Sequence, residues 1–277
     1  MNWKDKRVFL TGASSGIGEA LAIALAKKGA VLGLVARREE LLNDLKAKCE
    51  NVGGTARVFA CDVTDADALQ KAADDFRADF GHIDVMIANA GIGGNIRNAD
   101  TPVRNEGEAR RKEADEGVRV PWLDPSLVKQ VIDINLLGSA NAVHAVINPM
   151  IERKSGHLVA ISSLAGFRGL PKSAAYSASK AGMTAFFESV RLDVARHGID
   201  VTIIQPGFIK TPLTAGRENK MPYLMELDDA IPLFIKAIEK KKRFAAFPWQ
   251  LATIVRLGKF MPAWAYDRIA GRARYRE

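Results

Sequence analysis

The stretch that most narrows the choice of fold is TGASSGIG, Thr11 to Gly18, set between the apolar run Arg7 to Leu10 and the helix-like AIALAKKGA. Strand, glycine turn and an amphipathic helix stopped by Gly29 follow one another directly. Gly12, Gly16 and Gly18 permit a tight turn. Backbone N–H groups around Ser14, Ser15 and Ile17 are then free to approach a phosphate at the positive end of the helix. The spacing is T-G-x-x-x-G-x-G, related to but distinct from the general dinucleotide fingerprint G-x-G-x-x-G. The plain alternative is a glycine-rich turn that only packs tightly.

A second strand, AVLGLVA, ends at Arg37 and Arg38, roughly 20 residues beyond the turn. A nicotinamide cofactor without an extra phosphate calls for Asp or Glu here, to accept from the ribose hydroxyl. Arginine, planar and always charged, suits the 2′-phosphate of NADP(H). Position favours Arg37 as the residue facing the ligand, with its neighbour opening the helix EELLNDLKAKCE. The third strand, ARVFACDV, puts Asp62 and Val63 at a carboxyl end, where ligands bind in open α/β sheets; Asp62 is placed to accept from an adenine amino group. A helix over Asp65 to Phe80 leads to the strand IDVMIANAG, whose Asn89, Ala90 and Gly91 either let the chain pass close to a ligand or form a simple turn.

Residues 92–123 turn polar, with Glu108, Lys112 and Glu116 at helical spacing. Asp124 and Pro125 read as an N-cap and first helical residue, opening a helix that carries Val128, Val131, Ile132 and the polar Asn135. A fifth strand, HLVAISS, stops at Ser162 and Ser163, and after the bend AGFRGLPKS comes YSASK. Tyr176 and Lys180, four residues apart on a helix, project from one face. A free phenol has a pKa of about 10, and a nearby positive charge lowers it, so this pair can move a proton. Alone, such a pair is common on surface helices. The helix runs on to Gly198; a sixth strand, DVTIIQPG, gives Pro206 and Gly207, with Thr211 and Pro212 beyond. Strands alternating with helices predict an α/β fold with a parallel doubly wound sheet.

Composition narrows the class further. Cys49 and Cys61 are the only cysteines, without metal-ligand spacing or the density of a disulfide scaffold, and no metal site is read. A reducing cytoplasm is the expected compartment. No run reaches the roughly 18 apolar residues of a membrane span, and MNWKDKRVFL lacks a leader pattern. The net charge of +8 allows an anionic partner. No RNA-recognition or zinc-finger pattern accompanies it, so no nucleic-acid partner is expected.

TGASSGIG, NAG, Ser163, YSASK and PGFIKTP, in this order and spacing, resemble the short-chain dehydrogenase/reductase family over about residues 5–212. The resemblance implies a Rossmann-type sheet of about seven strands in the order 3-2-1-4-5-6-7, in one domain over residues 1–247. It implies a catalytic set of Asn135, Ser163, Tyr176 and Lys180. Tyr176 would exchange the substrate proton and Ser163 hold the substrate oxygen. Lys180 would tune the tyrosine and hold the nicotinamide ribose, and Asn135 would support a water relaying protons to solvent. Ser162 would be structural. The cofactor contacts would be completed by Pro206, Gly207, Ile209 and Thr211, the last two fixing the nicotinamide carboxamide. ARR, ending at Arg38, resembles NADP-preferring members.

The expected reaction is carbonyl–alcohol exchange on an apolar substrate, the pocket lined by Leu164, Phe167, Leu170, Phe208 and Leu213. A cofactor-binding scaffold on the same fold is the alternative, against which the retained Ser163, Tyr176, Lys180 and Asn135 argue. Members of the family commonly assemble as dimers or tetramers, and a homo-oligomer is expected. Two stretches depart from the pattern. Residues 92–123 are roughly 20 longer than usual, either a lid or partner-binding arm or a tolerated surface insertion. Residues 208–242 supply the substrate side, and the strand RFAAFP follows. Beyond it, residues 248–277 interleave Trp249, Phe260 and Trp264 with Arg256, Lys259, Arg268, Arg272, Arg274 and Arg276. That tail suits a subunit or pocket contact, a peripheral membrane contact, or a disordered end.

Overall fold

The computed structural model describes residues 1–93, 123–216 and 221–271. The helical spacing at Glu108, Lys112 and Glu116 and the arginines at 272, 274 and 276 fall outside the described residues. Among the described residues, seven strands form one sheet in the order β3-β2-β1-β4-β5-β6-β7, every neighbour parallel. They are β1 (Arg7–Thr11), β2 (Val31–Ala36), β3 (Thr55–Ala60), β4 (Val85–Ala88), β5 (Gly156–Ile161), β6 (Ile199–Pro206) and β7 (Phe244–Phe247). The crossovers are helical: α1 (Gly16–Ala26), α2 (Glu39–Asn51), α3 (Ala66–Phe80), α4 (Pro125–Ile132), α5 (Gly138–Arg153), α6 (Ala174–Val194) and α7 (Leu227–Glu239). The doubly wound sheet expected from the sequence is therefore present.

Both faces of the sheet are covered, which is why its strands read as nearly continuous apolar runs. Alternate residues supply two cores. Val8, Leu10, Leu32, Leu34, Val85, Ile87, Val159 and Ile161 face the side packed by Leu21, Leu25, Leu42, Leu45, Phe234 and Ile238 of α1, α2 and α7. Phe9, Val35, Met86, Ala88, Leu158 and Ala160 face Leu69, Phe76, Val143, Val146, Met183 and Phe187 of α3, α5 and α6. On that second face the Phe76 ring lies 6.0 Å from Phe9, 6.2 Å from Phe59 and 5.0 Å from Phe80, in the tilted and edge-on arrangements that aromatic quadrupoles prefer.

Local chemistry sets the helix starts. The Asp65 carboxylate accepts from the Ala68 N–H, so α3 opens at Ala66, one residue after the expected position. Asp124 accepts from the N–H groups of Ser126 and Leu127, with Pro125 first in the helix as its spacing predicts. α4 passes into α5 through a wider π-helical turn, Asp133–Leu137. α6 tightens into a short 3₁₀ turn, Ala195–His197, and Gly198 ends it at φ +70°.

Two further helices follow β7: α8 (Trp249–Lys259) and α9 (Ala263–Ala270). The disordered-end reading of the tail thus fails for these residues. Among the described residues, no helix is long and apolar enough to cross a membrane.

The aromatic cluster sets a stability test. Phe76, fully buried, should cost about 3–5 kcal/mol when replaced by alanine, because transfer energy and a cavity are both lost. Leu192→Ala, at a side chain 69% exposed, should stay within about 0.5 kcal/mol. Urea unfolding of both variants checks this, and similar midpoints would show that the cluster does not carry the sheet face.

Candidate active site

The order of strands reverses between β1 and β4, and the sheet offers a crevice at their carboxyl ends. Polar groups there hold the two strand ends together. The Asn89 carboxamide donates to the carbonyls of Thr11, at 3.1 Å, and Gly12, at 3.0 Å. In return the Thr11 hydroxyl accepts from the N–H groups of Asn89 and Ala90. Gly12 sits at φ +65°, and a Cβ on it would lie 2.6 Å from the Ala90 Cα. Gly18 is more constrained by space: its Cβ would stand 2.1 Å from the Gly12 carbonyl oxygen. Both glycines therefore serve the closure of the turn on β4 and on α1.

At the outer edge of the turn, the Arg38 guanidinium donates to Ser14 Oγ at 3.1 Å and Ser15 Oγ at 3.4 Å. Arg37, preferred on position, turns toward Asp62, with 3.7 Å between its Nη1 and the carboxylate. Arg38 is also the N-cap of α2, which turns its side chain back across the glycine loop. Asp62 accepts from the backbone and hydroxyl of Thr64, both at 2.9 Å. Arg37, Asp62, Thr64, Lys129 and Asp133 line one surface groove. Ile17 packs on the first core, and Val63 is buried against Gly138. Ser15, the N-cap of α1, makes no side-chain capping bond.

Deeper in, α6 carries Tyr176 and Lys180 along one side. Lys180 is 4% exposed, and its ammonium donates to the Ile161 carbonyl, the last of β5, at 2.9 Å. Burial pushes its pKa from 10.5 down to about 8. The ammonium lies 6.0 Å from the centre of the Tyr176 ring. Gly91 borders it closely, since a Cβ there would stand 3.4 Å from Lys180 Nζ and 3.2 Å from Asn135 Oδ1. Asn135, wholly buried in the π-helical turn, accepts from the Ile92 N–H at 2.8 Å and donates to the Ile92 carbonyl at 3.0 Å. Its amide also donates to Ser179 Oγ at 3.0 Å, and Ser179 donates to the Tyr176 carbonyl at 2.8 Å. Ser179, which from sequence reads as a spacer within YSASK, is a buried link between Asn135 and the tyrosine's own helix turn. Its only sequence signal is a hydroxyl three residues after Tyr176 on an otherwise apolar side.

Ser163 lies just past β5 and caps a short 3₁₀ turn, its Oγ accepting from the Ala165 N–H and reaching the Pro206 carbonyl at 3.4 Å. Ser162 turns the other way, donating to the Lys180 carbonyl and bonding Thr184. That geometry fits the structural role expected for it. Gly207 donates to the Phe247 carbonyl, and Ile209 bridges to Met225, with the Ile209 carbonyl taken by Thr214. Thr211 stands beside the glycine turn, 3.4 Å from where a Cβ of Gly16 would lie. Of the residues expected to line the substrate pocket, Leu164 is buried, Phe208 half-buried and Leu213 exposed. The crevice thus brings the glycine turn, Gly91, Asn135, Lys180 and Tyr176 to the strand ends. Arg168, like Ser179, was missed in the sequence reading; it ties the loop after Ser163 to the C-terminal helices. Nothing in its local sequence marks it.

The sequence matches the short chain dehydrogenase family over residues 6–222. An uncharacterized oxidoreductase of Myxococcus xanthus is 41% identical over 269 residues, covering 97% of this chain and 98% of its own. Among solved structures, a metagenomic short-chain oxidoreductase in complex with NADP superposes with a TM-score of 0.68 at 28% identity, over 89% of this chain and 96% of that one. A 3-oxoacyl-[acyl-carrier protein] reductase of Brucella melitensis with bound NAD superposes with a TM-score of 0.72 at 25% identity, over 89% and 90%. The chain belongs to the short-chain dehydrogenase family, a class of oxidoreductases that use a nicotinamide cofactor.

Burial of Lys180 has a measurable consequence. A base whose folded pKa lies below its unfolded value lowers stability wherever it is charged. The cost is therefore full below about 8 and fades as pH rises to 10.5. Lys180→Met removes it. In urea unfolding without cofactor, the stability of the variant relative to the parent should fall by about 3 kcal/mol between pH 7.5 and 10.5. A difference that does not change with pH would mean that the ammonium is solvated.

Proposed function

We propose that the protein interconverts a carbonyl and a secondary alcohol on an apolar substrate with NADP(H). The observation that carries the reading is the buried Lys180 ammonium beside Tyr176, in a crevice whose outer rim holds Arg37 and Arg38. The residues present fit the cofactor. Ser15 leaves the first-turn N–H groups of α1 uncapped, at the positive end of an eleven-residue helix. The Arg38 guanidinium and the Ser14 and Ser15 hydroxyls stand beside that end, donors suited to phosphate oxygens. Arg37 is the second cation available to a 2′-phosphate, and Asp62, beside it, the acceptor for an adenine amino group. When bound, the nicotinamide supplies or accepts the hydride.

The chain's own residues manage the proton and the oxygen. Tyr176 donates to the carbonyl oxygen during reduction and takes the alcohol proton during oxidation. Lys180 keeps a positive charge near the phenol, which favours the phenolate. Because that charge is out of water, its effect on the phenol is screened less than on a surface. Ser163 holds the substrate oxygen and stabilises charge that develops on it. Asn135 supports the proton path from Lys180 toward solvent through a water, and Ser179 fixes the carboxamide by taking one of its donors. Gly91 leaves the space between Asn135 and Lys180 open. Ile209 and Thr211 are assigned to the nicotinamide carboxamide.

Leu164, Phe167, Leu170 and Phe208 give the substrate side its apolar character, which suits an acyl chain, a steroid or an aromatic carbonyl compound. The 3-oxoacyl substrate class of the Brucella relative is of this kind. A cytoplasmic homo-oligomer, dimer or tetramer, is the working form. A lid or partner-binding arm is the role we assign to residues 92–123, of which 94–122 lie outside the described residues. Deleting residues 97–119 should then change KM or assembly; unchanged kinetics and size would retire that role.

A carbonyl panel followed by NADPH absorbance tests the reaction. Tyr176→Phe should retain NADPH binding and lose about 10²–10⁴-fold in turnover. A fully active variant would overturn the proton assignment. For the cofactor, the parent should turn over NADPH faster than NADH at matched concentration, and Arg37→Asp with Arg38→Asp should reverse the order. Equal or better turnover of the parent with NADH would sink the NADP(H) assignment.

A further inference from the structure

The C-terminal helices present a surface that the reaction does not use. Trp249, Ile254, Leu257, Phe260, Trp264 and Ile269 are each more than half exposed, Phe260 at 85%. Single exposed apolar side chains are ordinary, whereas a cluster on one helical hairpin marks a contact surface. Along α8, Trp249, Thr253, Leu257 and Phe260 recur at helical spacing and share a face. The inward side carries the buried Ala252 and the half-buried Leu251, which rests on Gly207: a Cβ there would lie 2.8 Å from the leucine.

The hairpin is firmly seated by that inward side. Arg168 donates to the carbonyls of Gly258, at 2.6 Å, and Met261, at 2.8 Å, at the end of α8. The same guanidinium lies 3.9 Å from the centre of the Tyr266 ring, and the Tyr266 hydroxyl donates to the Gly169 carbonyl at 2.5 Å. The outward apolar face is thus held in place by the body of the protein.

Charge points to what covers it. From Trp249 to the last residue the chain has six basic residues, Arg256, Lys259, Arg268, Arg272, Arg274 and Arg276, against Asp267 and Glu277. Tryptophan and phenylalanine beside lysine and arginine match a surface with an apolar interior and anionic headgroups. A two-fold contact with a second copy would set the exposed Lys259 and Arg268 against their own counterparts, which like charges oppose. At eleven and eight residues, neither α8 nor α9 approaches the roughly 20 needed to span a bilayer.

We propose that the α8–α9 hairpin seats the protein on an anionic membrane surface. Trp249, Leu257, Phe260 and Trp264 enter the interfacial layer, and Lys259 and Arg268 lie against lipid phosphates. The hairpin borders the substrate side through Leu251 on Gly207, beside Leu164, so an apolar substrate dissolved in the bilayer would meet the crevice at the membrane face. The docking itself is independent of the reaction assigned above.

Vesicle flotation of the full-length protein is the test, with phosphatidylcholine alone and with added phosphatidylserine. The parent should float with the anionic vesicles at low salt, about tenfold more than with neutral ones, and lose this at high salt. Trp249→Ser/Phe260→Ser/Trp264→Ser should abolish flotation. Lys259→Glu/Arg268→Glu should reduce it about tenfold or more on anionic vesicles, with thermal melts by circular dichroism confirming that each variant is folded. A parent that stays unbound with both vesicles overturns the proposal, as do folded variants that float like the parent. Sedimentation adds the competing outcome: a parent that ignores vesicles but forms a dimer lost in the aromatic variant would assign the face to a second copy.

Discussion

An ammonium group removed from water must find oxygen atoms nearby or give up its charge, and the centre of this structure is arranged around that demand. Lys180 meets it with the last carbonyl of β5. The contact ties the middle of α6 to the end of a central strand, and Ser162 repeats the tie one residue later by donating to the Lys180 carbonyl. Tyr176 is thereby held one turn earlier on the same helix. Asn135 closes the other side through Ile92 and Ser179, from a π-helical turn of the kind that often marks functional sites in longer helices. The buried cation and Asn135 together thus couple the sheet, two helices and the loop after β4.

The sheet determines where these groups meet. Parallel strands joined by right-handed helical crossovers place every carboxyl end on one edge, and reversal of strand order between β1 and β4 opens the crevice there. Thr11 and Asn89 use the polar groups of that opening on each other, which keeps two strand ends from separating. The consequence is a preorganised floor. The glycine turn and the arginines precede the Tyr–Lys helix by well over a hundred residues, yet all three stand at one edge of one sheet.

What could be read from the sequence followed the range of the interactions involved. The strand–helix alternation was legible because a period of two or 3.6 residues is a local property, and the helix start at Asp124 because a cap is made within three residues. The sheet order and the roles expected of Asn135, Ser163, Tyr176 and Lys180 came from a family's joint pattern; local chemistry alone leaves Tyr and Lys four apart as a commonplace. Ser179 could not be seen as a link, since its partner is 44 positions away. The orientation of Arg37 and Arg38 was equally out of reach, because it depends on how the chain leaves β2, with Arg38 in an extended N-cap conformation. Arg168 is the extreme case, meeting carbonyls 90 and 93 residues further on.

That last contact makes the C-terminal helices and the Ser163–Ser173 loop a single unit of inheritance. Arg168 recognises backbone carbonyls at the end of α8 and an aromatic ring on α9, so it reads the hairpin's shape more than its side chains. The outward residues of the hairpin are free to diversify, while the loop that carries the serine end of the crevice must keep a guanidinium at this one place. A chimera that exchanges the tail with that of a relative would therefore have to carry the loop with it. Surface specialisation and site geometry can evolve at different rates in this chain because one side chain joins them through two main-chain carbonyls and a single aromatic ring.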